Sequence, residues 1–563
     1  MDSSALTQKK RDQTIYSWYA NKTMYDQKQT TVVDNTILLQ KICGGYPLIF
    51  EYKQEGPNCC LNCLPTDPLQ VKTSPYTLDE SIIYALNSML EYVAVANLGP
   101  TKTSRILYLW FMTVVSGYSW ASSSGKISGI KDNWNWNTHY PQANEQDLFV
   151  WMNHLLIDTM PTFISNFNPG FLSSKETEIF QWDSATQTAE VSRVRSVGNW
   201  TAWQSAWNTW YTGRQSDGNV AAVAIPPDSS LPNGSQSITV SSTSDDPNTF
   251  TSPTSWTPLI VNGVRKNYYS YGWGDVLSTC LSGSDETTLL NNTQAFFPGT
   301  ATSYNDGSAR AIEVANMLAI SQTLTDFQKV IAEFWAGGPF TVSPPGMFVY
   351  FWKEYMLANL IAHTQGFDTF FYSGLDLAIH LFEAGRLVWN LKKNNMQARP
   401  IQEIRRMYRG QILTKYDGSQ ILGEAWVPYQ TSNFVTPPFP DFPSGHSAFS
   451  QVFANVMISW FGEQINGQAV VMTDLSLITS MLNTTQTTPF GRFTVEKGHS
   501  EIQGGQVPAM DTILNFTRWQ DMAESAGISR QYGGIHCLSA HTASTHLAGE
   551  LHSKIVTNWS ISH

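Results

Sequence analysis

Residues 442–461 read Phe442-Pro443-Ser444-Gly445-His446-Ser447-Ala448-Phe449-Ser450-Gln451-Val452-Phe453-Ala454-Asn455-Val456-Met457-Ile458-Ser459-Trp460-Phe461. The apolar residues Phe449, Val452, Phe453, Val456, Met457, Trp460 and Phe461 recur at i, i+3, i+4, i+7, i+8, i+11 and i+12, the spacing of one buried face of an α-helix. Pro443-Ser444-Gly445 stands directly before that face and predicts the helix start. N–H groups of a first helical turn lack intrahelical acceptors and carry the positive end of the helix dipole, which suits an anion. Ser444 adds a hydroxyl donor, and Gly445 lets a ligand come close to the backbone. Taken alone, Pro-Ser-Gly-His marks a helix start and nothing more.

Working outward, helical periodicity also appears at 104–118, 147–165, 309–336, 347–364 and 370–393, and a last helix runs from near His536 toward Thr557. A capping box, Thr77-Leu78-Asp79-Glu80, is expected to open a helix whose apolar side carries Ile82, Ile83, Leu86, Met89 and Leu90. The first 75 residues show no sustained period. Between 168 and 308 the character changes: Trp is dense at 182, 200, 203, 207 and 210, then Ser, Thr, Asp, Gly and Pro dominate 217–258, with short strands at most, such as Ile238-Thr239-Val240. The expected fold is mainly α, two helical bundles with a loop-rich insertion. The division is 1–75 irregular extension, 76–167 first bundle, 168–308 insertion and 309–563 second bundle.

The chain has 563 residues, 42% of them hydrophobic and 13% aromatic, enough for a sizeable core and against global disorder. Only 14% are charged, so the surface leans on Ser, Thr, Asn and Gln. A net charge of -11 argues against a nucleic-acid partner, and any anion site has to be a local cluster of basic residues. The longest strongly apolar run, 106–115, is short of the ~18 residues that span a bilayer, so no membrane span is expected. Residues 1–14 are polar and charged, without the apolar core of a signal peptide, and a soluble chain is expected. Cys43, Cys59, Cys60 and Cys63 form a cluster open to zinc, a disulfide or reduced thiols, and Cys280 and Cys537 stand apart.

Three segments carry the chemistry: Lys392-x6-Arg399-Pro400, Pro443-Ser444-Gly445-His446, and Ser529-Arg530-x5-His536. Lys392, Arg399 and Arg530 bring fixed positive charge, and the two guanidinium groups can bond oxygens bidentately. Of the two histidines, one can bond a central atom while the other moves protons. Each segment alone is bland; together, in this order and in a charge-poor chain, they describe a pocket for a tetrahedral oxyanion.

The set resembles the shared signature of the vanadium-dependent haloperoxidases and of the related type-2 phosphatidic-acid and acid phosphatases. Trp389, one helical turn before Lys392, the stretch 434–447 (Phe-Val-Thr-Pro-Pro-Phe-Pro-Asp-Phe-Pro-Ser-Gly-His-Ser) and Gly533-Gly534-Ile535-His536 are similar to the haloperoxidase versions. The resemblance is specific over about 310–563, weaker over 77–165, and absent from the first 75 residues and most of the insertion. The 82 residues between His446 and Ser529 exceed what the compact phosphatases have, and Ala540 stands where they carry an Asp that orients the second His.

Carried over residue by residue, the resemblance implies vanadate as cofactor, with His536 as its protein ligand. Lys392, Arg399, Ser444, Gly445 and Arg530 would hold its oxygens, with Trp389 beside it and His446 as general acid/base. It implies hydrogen peroxide and a halide as substrates: Lys392 polarises the bound peroxide, and halide attack gives a hypohalous acid equivalent, with vanadium as Lewis acid at constant oxidation state. An organic acceptor and a homo-oligomer stay open. Phe439 lies where chloroperoxidase-like members have Phe and algal bromoperoxidases have His, and bromide, the easier ion to oxidise, is the expected halide ahead of chloride.

Two positions depart from the family pattern. Where it has an acidic residue just after a Trp, this chain reads Trp335-Ala336-Gly337-Gly338, with Glu333 the nearest carboxylate. Ala540 removes one partner for the far nitrogen of His536, leaving a backbone carbonyl to serve. His541, His546 and His552 follow at intervals unsuited to a metal pair on a helix and read as surface or packing residues. Glu403, Arg405 and Arg406 read as a solvated helix face. The Trp cluster at 200–210 reads as core before substrate rim, and Asp376 and Glu383 stay outside the expected site. Two alternatives stand beside the haloperoxidase: a phosphatase with His536 as nucleophile, and a non-catalytic structural or interaction member.

Overall fold

A computed structural model gives the fold; residues 76–122, 140 and 143–558 are described. Leaving out one-turn helices, the order is α1 (Tyr76–Val95), α2 (Gly99–Ala121), α3 (Glu145–Phe163), α4 (Gly170–Phe180), α5 (Ser184–Val197), α6 (Trp200–Gln215), α7 (Gly283–Gln294), α8 (Ala309–Gln322), α9 (Asp326–Phe334), α10 (Ser343–Ala358), α11 (Phe367–Asn395), α12 (Pro400–Met407), α13 (Gly445–Phe461), α14 (Trp519–Tyr532) and α15 (Leu538–Asn558). The fold is mainly α, as expected. The Cys43–Cys63 cluster lies outside the described residues, while Cys280 and Cys537 are buried. Among the described residues no helix is long and apolar enough to cross a membrane.

Helix α11 organises the interior. From Phe370 to Trp389 every side chain is buried, including Asp376, His380, Glu383 and Arg386, and the helix packs against α2 on one side and α13 on the other. A helix apolar nearly all round belongs in a core. Helix α13 uses the face read from its sequence: Phe449, Val452, Phe453, Val456 and Met457 are buried, at about 1.5–3 kcal/mol each for a large side chain, while α14 and α15 pack on its flanks. Ser444 caps it, its side chain accepting from the Ser447 N–H.

Three expectations are corrected. Helix α1 begins at Tyr76, so Thr77 is already helical. Asp79 and Glu80 pair instead with His363 and Lys175, both 2.9 Å away. Residues 170–215 are helical, not loop-rich. Trp200, Trp203, Trp207 and Trp210 fall on one face of α6 and pack into the core, Trp200 and Trp203 edge-on against Trp151. The long run 309–336 is two helices, broken where Thr325 caps α9 through a box with Gln328.

The strands are short. β1 (Ile238–Thr239), where a short strand is expected, pairs with β2 (Leu259–Val261), which pairs with β3 (Val264–Arg265) in a small sheet, and β4 (Ile412–Thr414) pairs antiparallel with β5 (Gln420–Leu422). Between α13 and α14 lie two antiparallel pairs that periodicity did not reveal, β6 (Ala469–Thr473) with β7 (Thr485–Pro489) and β8 (Arg492–Val495) with β9 (Thr512–Asn515). They occupy the long spacing between His446 and Ser529.

Candidate active site

Four pieces of chain meet at one buried point. Lys392 comes from the last turn of α11, and Arg399 stands just before α12. Ser444, Gly445 and His446 open α13, while Arg530 and His536 flank the turn between α14 and α15. Gly534 makes that turn at φ +68, in the left-handed region that favours glycine, where a Cβ would lie 2.9 Å from Pro428. The Ile535 N–H then returns to the Arg530 carbonyl at 3.0 Å, bringing His536 back beside Arg530.

Lys392, Arg399 and Arg530 are at most 2% exposed, yet among the described residues none has a carboxylate within ion-pair distance. Lys392 Nζ donates to the carbonyls of Pro440, Asp441 and Pro443, pinning the proline-rich loop. Arg399 donates to Phe439 O (2.6 Å) and Ile535 O (2.8 Å), and its Nη1 reaches His536 Nε2 at 3.1 Å. Arg399 Nη2 is buried with no hydrogen-bond partner among the described residues. Arg530 donates to Ser529 Oγ and to the carbonyls of Ala332 and Ala336. Burial pushes Arg530 down to about 9 and, only partly offset by the nearby Asp441 charge, Arg399 down to about 10; burial with the neighbouring Arg399 charge holds Lys392 well below the usual lysine range. Such a cluster, with an orphaned guanidinium nitrogen, fits an oxyanion. No group of three or more His, Cys, Asp or Glu gathers to hold a bare cation among the described residues.

His536 is held by a residue that sequence reasoning missed. Its Nδ1 lies 2.6 Å from Asp441 Oδ1, so Nδ1 donates and Nε2 keeps its lone pair toward Arg399. Burial and the nearby Arg399 charge push His536 down to about 3, so it is neutral at ordinary pH. Asp441 is tied to Arg310 Nη2 at 2.9 Å through its other oxygen. Thus neither a backbone carbonyl nor position 540 serves: Ala540 is buried and its carbonyl accepts from Ser444 N. The signal was present in Pro440-Asp441-Phe442, five residues before His446.

His446 Nε2 lies 2.8 Å from the Trp335 carbonyl, which can only accept. Nε2 therefore carries the proton and Nδ1 is left as an acceptor. Burial first, then Arg530, holds His446 well below the ordinary histidine range. Glu333 does not face it. That carboxylate accepts from Tyr429 Oη and Ser500 Oγ and from Glu501 N. Gly337, at φ +52, brings its backbone against the imidazole: a Cβ there would lie 3.4 Å from Nε2.

Trp389 and Phe439 flank the cations, their rings 4.8 Å apart, with Lys392 Nζ 5.1 Å and the Arg399 guanidinium 5.0 Å from the Phe439 ring. A cleft of about 1060 Å³ is lined by residues such as Ala332, Ala336, Gly337, Phe340, Pro428 and Phe434. Of these, Gly337 lies against His446, and the Ala332 and Ala336 carbonyls accept from Arg530, while His446 and Arg530 themselves do not line it.

Residues read as a solvated face are buried behind the site. Glu403, Arg405 and Arg406 are at most 4% exposed: Glu403 binds Arg406 at 2.7 Å and lies 3.7 Å from Arg310, while Arg405 donates to the carbonyls of Val240 and Trp426. His541 and His552 pack between helices through hydrogen bonds. His541 bonds Ser447 and Glu524, and His552 bonds His380 and Ser459. Asp376 and Glu383 are away from the cations, paired with His380 and Arg386.

Residues 373–559 match the family model of the VCPO second helical-bundle domain. The fold is similar to that of the first bacterial vanadium-dependent iodoperoxidase (TM-score 0.54, 16% identity, covering 85% of this chain and 96% of that one). It is also similar to a holo-type bacterial vanadium-dependent chloroperoxidase (TM-score 0.51, 13% identity, 82% and 93%). No curated protein matches the sequence. Residues 373–559 thus carry that second-bundle domain, and the chain shares the helical-bundle fold of those two bacterial enzymes.

Proposed function

We propose that the protein is a vanadate-dependent haloperoxidase that oxidises halide with hydrogen peroxide. The observation that carries this reading is the convergence of three buried, carboxylate-free cations on a neutral histidine whose far nitrogen is fixed by Asp441. Lys392, Arg399, Arg530, the Ser444 hydroxyl and the N–H groups opening α13 would hold the vanadate oxygens, and His536 Nε2 would be its protein ligand. Bound vanadate supplies Lewis acidity toward peroxide at constant oxidation state. Asp441 keeps the His536 Nδ1 proton in place, which orients the ring and raises its basicity as a ligand. His446, with Nε2–H spent on the Trp335 carbonyl, offers Nδ1 to take a proton from peroxide or water and return it. Lys392 places positive charge where negative charge develops, and Phe439 against Trp389 gives the halide an apolar wall.

A second reading gains from one observation: the Asp441–His536 pair also suits a histidine nucleophile, and phosphate is isosteric with vanadate. Assays of the purified chain separate the two. Orthovanadate-dependent oxidation of iodide, bromide or chloride is expected, lost in His536→Ala and reduced about 10²- to 10⁴-fold in His446→Ala. Phosphoester hydrolysis without halide oxidation, abolished by the same His536 variant, would replace the haloperoxidase with a phosphatase.

A further inference from the structure

Behind Ser444 runs a chain of polar groups that the reaction as described does not use. Ser447 Oγ donates to Ser444 Oγ at 3.0 Å, His541 Nδ1 lies 2.9 Å from Ser447 Oγ, and His541 Nε2 lies 3.2 Å from Glu524 Oε1. The four residues come from the openings of α13 and α15 and from α14. Ser444, Ser447 and His541 are buried, whereas the Glu524 side chain is 52% exposed, so the chain runs from solvent to the oxyanion pocket. The room for it is made by Gly527: a Cβ there would lie 2.4 Å from His541 Cε1, 2.5 Å from Nδ1 and 3.2 Å from Ser447 Oγ. The imidazole is held at both nitrogens and could yield only by breaking its bonds.

Counting protons gives the chain a direction. Ser444 Oγ accepts twice, from the N–H (3.4 Å) and the hydroxyl of Ser447, so its own proton is its only remaining bonding capacity. Ser447 has spent its hydroxyl proton on Ser444 and must accept from His541 Nδ1. The Glu524 carboxylate accepts from Nε2. With a proton on each ring nitrogen, His541 donates outward to Glu524 and inward to Ser447, so the Nδ1 and Ser447 hydroxyl protons point toward Ser444. Without His541, the Ser447 oxygen loses the donor that fixes it, and its hydroxyl can rotate away. The Ser444 proton can then turn back onto Ser447.

We infer that His541, backed by Glu524, is a positioning residue that acts through Ser447 to aim the Ser444 hydroxyl proton at the bound oxyanion. This rests on the oxyanion site proposed above. The test is a double-mutant cycle on the full chain, read as binding of orthovanadate, and separately of inorganic phosphate, by calorimetry. His541→Phe and Ser447→Ala should each weaken orthovanadate binding about 3- to 10-fold, the worth of one hydrogen bond. In a Ser444→Ala background neither should weaken it further. Gly527→Ala should reproduce the His541→Phe loss. An equal loss with and without Ser444 would make His541 a packing residue, and unchanged affinity in both single variants would also overturn the inference. If His541→Phe does not fold, Ser447→Ala and Glu524→Gln carry the same cycle. Wild-type protein that binds neither anion would remove the site reading and this inference with it, whereas binding that ignores these variants removes this inference alone.

Discussion

Arg310 and Arg399 are both buried, and they reach the Asp441–His536 pair from opposite ends, Arg310 on the carboxylate and Arg399 on the imidazole. Their surroundings differ. Around Arg310 stand Asp441, Glu403 and Glu313, and although burial pulls the guanidinium down, Cys537 and these carboxylates outweigh it and push it above its ordinary range. Among the described residues Arg399 has no carboxylate in contact, and burial drags it down to about 10. Positive charge is balanced behind the site and left unbalanced at its surface. Arg405, also without a carboxylate at ion-pair distance among the described residues, marks the limit of the contrast. Each of its three nitrogens ends on a backbone carbonyl, whereas Arg399 Nη2 has no hydrogen-bond partner there, and Arg310 Nε and Nη1, equally without hydrogen bonds, face carboxylates at 3.7 Å. The lesson is that burial of a cation alone says little; the nature of its partners separates a scaffold from a binding site.

The largest effect should come from unbalancing the scaffold. Glu403→Gln removes the countercharge of Arg406 and one of those around Arg310, and stability should fall by about 3–5 kcal/mol, seen as a lower thermal midpoint of the anion-free protein. A drop below about 1 kcal/mol would mean that Asp441 and Glu313 balance the network without it.

Asp441→Asn cuts the link between the two halves. It keeps the shape but loses the charge that fixes the His536 proton, and orthovanadate affinity should drop about 10- to 100-fold. An unchanged affinity would show that His536 needs no such partner.

Lys393 gives the small end of the scale. One residue after Lys392, it makes a 2.7 Å pair with Asp275 that is 28% and 64% exposed. Lys393→Met should change stability by at most about 1 kcal/mol and leave anion binding as it was. Loss of binding there would mean that general surface charge, not the buried cluster, attracts the anion.

The cations, the α13 N-terminus and both histidines were legible because local order states them: a period of 3.6 fixes the helix start, and the donors sit beside it. Asp441 stands in the same stretch of sequence, but its pairing with His536 spans 95 positions, and no local period reports a contact of that length. The same holds for Glu403, Arg405 and Arg406. Charged residues on a short helix default to solvent, and only the placement of Arg310 and of the 239–242 segment around α12 shows otherwise. Helices α4 to α6 were hidden by composition, since α5 buries only Val194. Yet Trp200, Trp203, Trp207 and Trp210 repeat at i, i+3, i+7 and i+10, a helical spacing that density of Trp obscured. His541 was set aside because its spacing suits no metal pair, a test blind to a hydrogen-bond chain across three helices.

The most direct measurement is calorimetric titration of orthovanadate into the full chain, beside an Arg399→Met variant shown to be folded. The account predicts one anion per chain, competed by phosphate, with stabilisation of about 2.7 kcal/mol once free orthovanadate reaches a hundred times its Kd, and loss of both in the variant. No binding, or binding of equal strength when Arg399 is gone, would contradict it.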